Sequence, residues 1–391
     1  MNALFLVSEA LTDSGGISKK IFAQVNALEH HGMKVALSYL AANDKDEFTG
    51  RYVNEKIIDK YSGIPIISKF QWRCKYKNLY CYIKENDIKL VFIRYTHFAN
   101  PFFNLFLKKL KEKNTIILLE IPSYPYDQEY RDMKFVSKFL LLVEKYSRRK
   151  FKDYITRIIT LSPDTNIFGV PAISISNGID PASINIIEKC KRDNEIHLIA
   201  VASMAYWHGY DRVIEGLRNY YRKGEAGKKQ VFLHLLGYGN ESLLYRNLVT
   251  KYNLSNYIKF YERIFGKDLD ALFNQADIAV GCLGCHRKAM KYSKSLKNRE
   301  YCARGIPFFY SEIDEDFEDK DFIFKVPVND SPIDIKEIIK FVVSNKFDSV
   351  KIRNYAFENL TWERQFEKVL QNVITNFKTS GTSRLEYESL Q

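Results

Sequence analysis

DIAVGCLGCHRKAMKYSKSLKNREYCARGIPFFY, residues 277–310, is the stretch on which the fold of this chain turns. The apolar run at 278–280 reads as a strand, the polar stretch behind it as a loop, and a short helix starts near Ser295. Gly305 and Pro307 break that helix, and 308–310 opens a second apolar run. Within the helix, Lys297 and Glu300 are three residues apart and project from one face of its first turn. The helix start adds free backbone N–H groups and a partial positive charge, which suit an anion such as a diphosphate. A cation beside phosphates and a carboxylate reaching ribose hydroxyls would together hold a nucleoside diphosphate. The competing reading is an ordinary strand–loop–helix with a solvated ion pair.

Outward from this stretch, short β-rich runs alternate with helical ones, the pattern of a parallel sheet with crossover helices. Strands are expected at 3–8, 34–39, 89–95, 115–121, 155–161 and 172–176, then at 196–202, 231–236, 258–261, 278–280, 308–310 and 322–325. Helices are expected at 17–31, 211–221, 243–252, 269–274, 296–303 and 361–377. This is an α/β chain with two doubly wound, Rossmann-like sets in tandem, separated by 180–194. Open sheets of this kind bind ligands at the carboxyl ends of their strands.

At 391 residues, with 46% hydrophobic and 14% aromatic side chains, the chain suits two domains with substantial cores. No apolar run approaches the roughly 18–20 residues of a membrane-spanning helix. The first residues carry Glu9 behind their apolar run and lack a basic start, so they read as a first strand rather than a signal peptide. Six cysteines without regular spacing suggest reduced thiols and a cytoplasmic setting. The net charge of +12 implies an acidic partner: nucleic acid, anionic lipid or a phosphorylated ligand.

The order and content of these motifs resemble a GT-B glycosyltransferase of the retaining family 4 type, as found in bacterial capsular and exopolysaccharide synthesis, over about residues 1–375. Lys297-x-x-Glu300-Tyr301 ahead of Arg304-Gly305-x-Pro307 resembles the donor-binding segment of that family. Gly15-Gly16-Ile17 stands where the family's glycine loop admits a diphosphate, and Ser176-Asn177-Gly178-Ile179-Asp180 where an Asn-Gly-x-Asp segment closes the first domain. Gly237-Tyr238-Gly239 and Tyr261-Glu262-Arg263-Ile264 match its second glycine loop and its base-contacting segment. Two departures stand out. The first acid of the family's glutamate pair is replaced by Tyr292, and the basic pair after the first strand of the second domain gives way to Met204 and His208. Phosphate charge would then fall to Lys297, Arg212 and Arg287.

The resemblance implies a GT-B architecture. An acceptor-binding domain (1–180) would face a nucleotide-sugar-binding domain (181–360) across a cleft, with a helix (361–377) crossing back to the first domain and a flexible tail (378–391). It implies a sugar transferase of hexosyl type, with a nucleotide-diphosphate sugar as donor, a UDP-sugar first among these, and neither cofactor nor metal. The donor would be held by Gly15, Gly16, Gly237, Arg263, Ile264, Lys297 and Glu300. The catalytic set would be Lys297 at the diphosphate, Glu300 at the ribose and Glu120, which closes a strand, at the acceptor. His97, after another strand end, is a further acceptor-site candidate.

The acceptor would be a glycan, lipid-linked, and no nucleic acid is expected. Two basic and aromatic stretches, 69–84 and 131–157, point to an anionic membrane and a peripheral place on its inner face. The alternative for them is apolar side chains in the core and solvated lysines. The Asp-x-Asp pairs at 44–46, 268–270 and 319–321 follow no strand in a suitable place. Cys282-x-x-Cys285 has thiolate-ligand spacing, but no second regular pair completes a zinc site. Two other functions fit less of the pattern: a nucleotide-sugar epimerase of similar fold, and a non-catalytic module binding glycan or nucleic acid.

Overall fold

The computed structural model describes residues 1–12, 16–43, 47–127, 135–188, 192–222, 224, 229–262 and 264–374. Gly15, Arg263, the tail expected at 378–391 and the acids at 44–46 lie outside them. The chain divides into two units, Met1–Ile175 with Trp362–Gln391, and Ser176–Thr361. The boundary falls ahead of the expected 180 because Ser176 and Asn177 bond to residues of the second unit: Arg299 donates to the Ser176 hydroxyl, and the Asn177 amide donates to the Lys294 carbonyl.

The first unit runs β1 (Asn2–Ala10), α1 (Gly16–His30), β2 (Lys34–Ala42), β3 (Phe48–Val53), β4 (Lys56–Lys60), α2 (Pro65–Cys74), α3 (Lys77–Glu85), β5 (Leu90–Arg94), α4 (Pro101–Glu112), β6 (Ile116–Ile121), α5 (Phe135–Arg148), α6 (Phe151–Tyr154), β7 (Arg157–Thr160), β8 (Asn166–Ile167) and β9 (Val170–Ser174). Its nine strands lie in the order β4-β3-β2-β1-β5-β6-β7-β9-β8, parallel from β2 through β9. Strand side chains alternate between two cores. Leu4, Leu6, Val91, Ile93, Ile117 and Leu119 face one; Ala3, Phe5, Val7, Leu90, Phe92 and Leu118 face the other.

The antiparallel pair β3–β4 was not expected from the sequence. Polar residues interrupt the apolar pattern of 48–60, yet Asn54 and Glu55 both take positive φ and make a two-residue hairpin turn. Arg51, fully buried, lies over the Tyr76 ring instead of facing water.

The second unit runs β10 (Glu195–Val201), α7 (Asp211–Arg222), β11 (Gln230–Leu236), α8 (Ser242–Lys251), β12 (Ile258–Tyr261), α9 (Gly266–Gln275), β13 (Ile278–Val280), α10 (Leu296–Arg304), β14 (Phe308–Tyr310), β15 (Ile323–Lys325), α11 (Ile335–Ser344) and α12 (Ser349–Asn359). All six strands are parallel in the order β12-β11-β10-β13-β14-β15. The direction of winding reverses between β10 and β13, which opens a crevice at their carboxyl ends. The last helix, α13 (Trp362–Val373), belongs to the first unit and packs on α1, burying Trp362, Phe366, Val369 and Leu370 in the second of its cores.

Candidate functional site

The crevice between β10 and β13 is built from three loops brought together by glycines. Gly237 takes φ +114°, and a Cβ there would meet the Ala202 carbonyl oxygen at 2.0 Å. A Cβ at Gly239 would meet the Ser203 oxygen at 1.9 Å. The loop after β11 therefore lies flat on the loop after β10, an approach only glycine allows. The loop after β13 joins them: Leu283 N–H donates to the His208 carbonyl (3.0 Å), and Gly284 N–H to that of Trp207 (3.2 Å).

Lys297 and Glu300 share the half-exposed face of α10, while Asn298, Arg299 and residues 301–304 are buried. Lys297 Nζ donates to the Tyr210 hydroxyl (3.1 Å). No side chain caps the start of α10 at Ser295, so its first N–H groups keep their capacity for an anion. Glu300 accepts from Arg304 Nε (3.0 Å), and Arg304 also binds Asp270 (2.7 Å). That pairing sets the carboxylate's orientation and takes the 268–270 acids out of consideration as a free pair. Beneath this face Arg299, fully buried, binds Asp314, Asp316 and the Ser176 hydroxyl, fixing the helix to the strand ends around it.

Of the other two cations expected at the phosphates, neither is available. Arg212 is buried and donates to the carbonyls of Ser331, Leu283 and Pro327. Arg287 forks onto Asp211 (2.7 and 3.0 Å) and also holds Asp330. His208, at the place of the missing lysine, is uncharged: burial, then the nearby Lys297 and Lys288, push it down to about 3. Its Nδ1 accepts from Ala205 N–H (3.0 Å), so Nε2 carries the hydrogen. Among the expected phosphate cations, Lys297 alone is left. Ile264 is half-buried against the core shared by α9, α10 and α12.

Glu120 sits in the first unit at the end of β6, only 2% exposed. Its Oε1 binds Lys20 and accepts from Gln24, both on α1, and its Oε2 binds Arg94 at the end of β5 (all 3.2 Å). Burial alone would raise this carboxyl; the charges of Lys20 and Arg94, with the hydrogen bonds of Gln24 and Lys20, hold it below its usual range. It is an internal anchor at the carboxyl edge of the sheet. His97 stacks on Tyr126 (3.6 Å between ring centres) and is pushed down to about 4, chiefly by burial and then by Arg148.

The sequence reading missed Glu144. This lone buried acid in the basic helix α5 accepts from the hydroxyls of Tyr95 and Tyr126 (2.6 Å each) and from Arg148 (3.2 Å). Its single negative charge among the bases of α5 was the available signal.

Comparison with known proteins places this geometry. Residues 184–313 match the family described as Glycosyl transferases group 1. No curated protein matches the chain in sequence. Among solved structures, a sucrose-phosphate synthase from Thermosynechococcus elongatus has a TM-score of 0.62 at 15% identity, covering 95% of this chain and 97% of its own. A glycosyltransferase from Rickettsia africae ESF-5 gives 0.62 at 14%, covering 96% and 99%. A lipopolysaccharide outer core galactosyltransferase gives 0.61 at 14%, covering 96% and 100%. The fold is that of GT-B glycosyltransferases, and the match of residues 184–313 to Glycosyl transferases group 1 supports sugar transfer as the general activity.

Proposed function

We propose that the chain transfers a hexosyl group with retention from a nucleotide-diphosphate sugar, a UDP-sugar first among these, to a lipid-linked glycan in surface polysaccharide synthesis. The observation that carries this reading is the half-exposed face of α10, where Lys297 and Glu300 stand together beside an uncapped helix start at the strand-order reversal. Lys297 and the N–H groups of that helix take the diphosphate and stabilise the charge that grows on it as it leaves. Glu300 takes the ribose hydroxyls. The leaving diphosphate itself helps to deprotonate the acceptor on the same face of the sugar, so no side-chain nucleophile and no metal is required for the transfer. Glu120 acts through Lys20 and Arg94, tying α1 to the carboxyl ends of β5 and β6.

Titration with UDP tests the donor site. Glu300→Ala weakens binding by about 1–3 kcal/mol, the scale of one hydrogen bond to a charged group, and Lys297→Ala does the same. Unchanged UDP affinity in both variants, or no UDP binding by the unaltered protein, overturns the reading.

An acceptor anchored in a membrane is supported by α5. Val136, Phe139, Leu140, Leu142 and Tyr146 are all exposed, alongside Lys138, Arg149 and Lys150. On α2 and α4 of the same unit, Ile66, Phe70, Phe102 and Leu105 are exposed as well. Apolar side chains rimmed by cations fit an anionic bilayer surface. The protein is expected to bind vesicles containing phosphatidylserine at low salt. The triple change Phe139→Ser, Leu142→Ser and Lys150→Glu abolishes that binding; equal binding to neutral and anionic vesicles sinks the idea. Arg148 is left intact in this test because it holds Asp127 and Glu144 internally.

A further inference from the structure

The loop after β13 and the residue two places beyond β14 bring together three buried side chains that the donor site does not use. Cys282, Cys285 and Glu312 each offer one atom, and these atoms lie within 4.8 Å of one another. All three residues are buried, Glu312 at 1% exposure. Among the described residues, neither carboxylate oxygen of Glu312 has a hydrogen-bond partner. A charged group left so in a dry interior costs several kcal/mol, so it calls for a cation or a proton.

The backbone holds this arrangement in place. Gly281 N–H donates to Phe309 O (2.8 Å) and Ser311 N–H to Cys282 O (3.0 Å), so the strand ends carrying Cys282 and Glu312 are tied side by side. Ile313 N–H donates to Lys291 O and Ser293 N–H to Ile313 O (3.0 Å each), which locks the far end of the loop to the chain beyond Glu312. Arg212 pins Leu283 between the two cysteines. Three ligand atoms held together by such a frame lose little freedom when they converge on one ion.

We propose that Cys282, Cys285 and Glu312 form a site for a thiophilic divalent cation, zinc in the first instance. Two sulfurs and a carboxylate oxygen are ligand types zinc takes, and three protein ligands leave its fourth position to water. The charges balance. Two thiolates and a carboxylate around a doubly charged ion sum to −1, and the positive charge of Lys297, close enough to favour the Cys282 thiolate, offsets it. Binding displaces the protons of the cysteines into solvent. The neighbours that sequence spacing offered are occupied elsewhere: His286 faces Asp330 (3.1 Å), and Cys302 bonds to the Ile352 carbonyl. The ion would brace the loop leading into α10 and would adjoin the donor side of that helix through Lys297.

Cobalt(II) added to the reduced, metal-free full chain tests the site through the near-ultraviolet band of thiolate-bound cobalt. The band is expected to saturate at one equivalent and to vanish on adding zinc. Cys282→Ser and Cys285→Ser each remove it, and Glu312→Gln weakens cobalt binding by at least ~10-fold. Three results overturn the proposal: no thiolate–cobalt band in the unaltered protein, a band retained in Cys285→Ser, or formation of a Cys282–Cys285 disulfide with no metal uptake from an equimolar zinc buffer. Should the serine variants fail to fold, the unaltered protein and Glu312→Gln still decide the matter.

Discussion

Arg299→Leu is expected to destabilise the second unit by about 3–5 kcal/mol, the cost of stripping one partner from a buried ion cluster. Arg299 is fully excluded from solvent and binds Asp314, itself fully buried, together with Asp316 and the Ser176 hydroxyl. Its loss leaves Asp314 buried without its cation, beside the partly exposed Asp316, and frees the segment that opens the unit. Urea unfolding followed by circular dichroism reads this as a lower midpoint with little change in slope. Adding Asp314→Leu to the variant recovers part of the loss, because the acid left stranded is then gone. A midpoint equal to that of the unaltered protein would show that the cluster contributes nothing to the fold.

Glu120→Gln is expected to cost the first unit a similar amount, about 3–5 kcal/mol at neutral pH. The amide keeps the shape but removes the negative charge that faces the buried Lys20 and Arg94, while the partly exposed Glu9 stays near Arg94. The effect depends on pH with a definite sign. The folded-state carboxyl lies below its usual value, so its stabilisation is fully present above the unfolded pKa of about 4.3 and is lost as pH falls through the lower folded value. The gap between unaltered protein and variant therefore closes in acid. A gap of constant size between pH 7 and pH 3 would mean that Glu120 does not act as an ionised anchor. Because the loss appears without any ligand, it also separates anchoring from contact with an acceptor.

What the sequence disclosed, and what it withheld, follows from how far apart the interacting residues are along the chain. Strands 278–280 and 308–310 could be read to the residue because every side chain in them is buried and the apolar runs are unbroken. Lys297 and Glu300 were visible as a pair because one helical turn relates them. The hairpin β3–β4 was not, since Arg51 and Asp59 interrupt its apolar pattern and are buried by tertiary partners supplied by α2 and α3.

The same reason hid the surroundings of Glu120. Lys20, Arg94 and Glu120 lie on three different elements, and only the parallel order β1-β5-β6 with α1 above it makes them neighbours. Cys282-x-x-Cys285 was recognised and set aside for want of a second pair. Its third companion, Glu312, comes from beyond the next strand, and no local spacing rule reaches that far. The burial of Arg212 was likewise invisible, because the acceptors that hold it are main-chain carbonyls.

The placement of α13 has a consequence for how the chain is made. The second unit is one continuous stretch, Ser176–Thr361, whereas the first takes its final piece, Trp362 onward, from beyond it. During synthesis the ribosome releases all of Ser176–Thr361 before Trp362, Phe366 and Leu370 can cover the side of β1 and β5 that carries Phe5 and Phe92. The earlier-made unit is thus the later one to finish, and until then α1 alone covers part of an apolar sheet face that α13 completes. Whatever shields nascent chains from aggregation must act on this half, for as long as translation of the other half lasts.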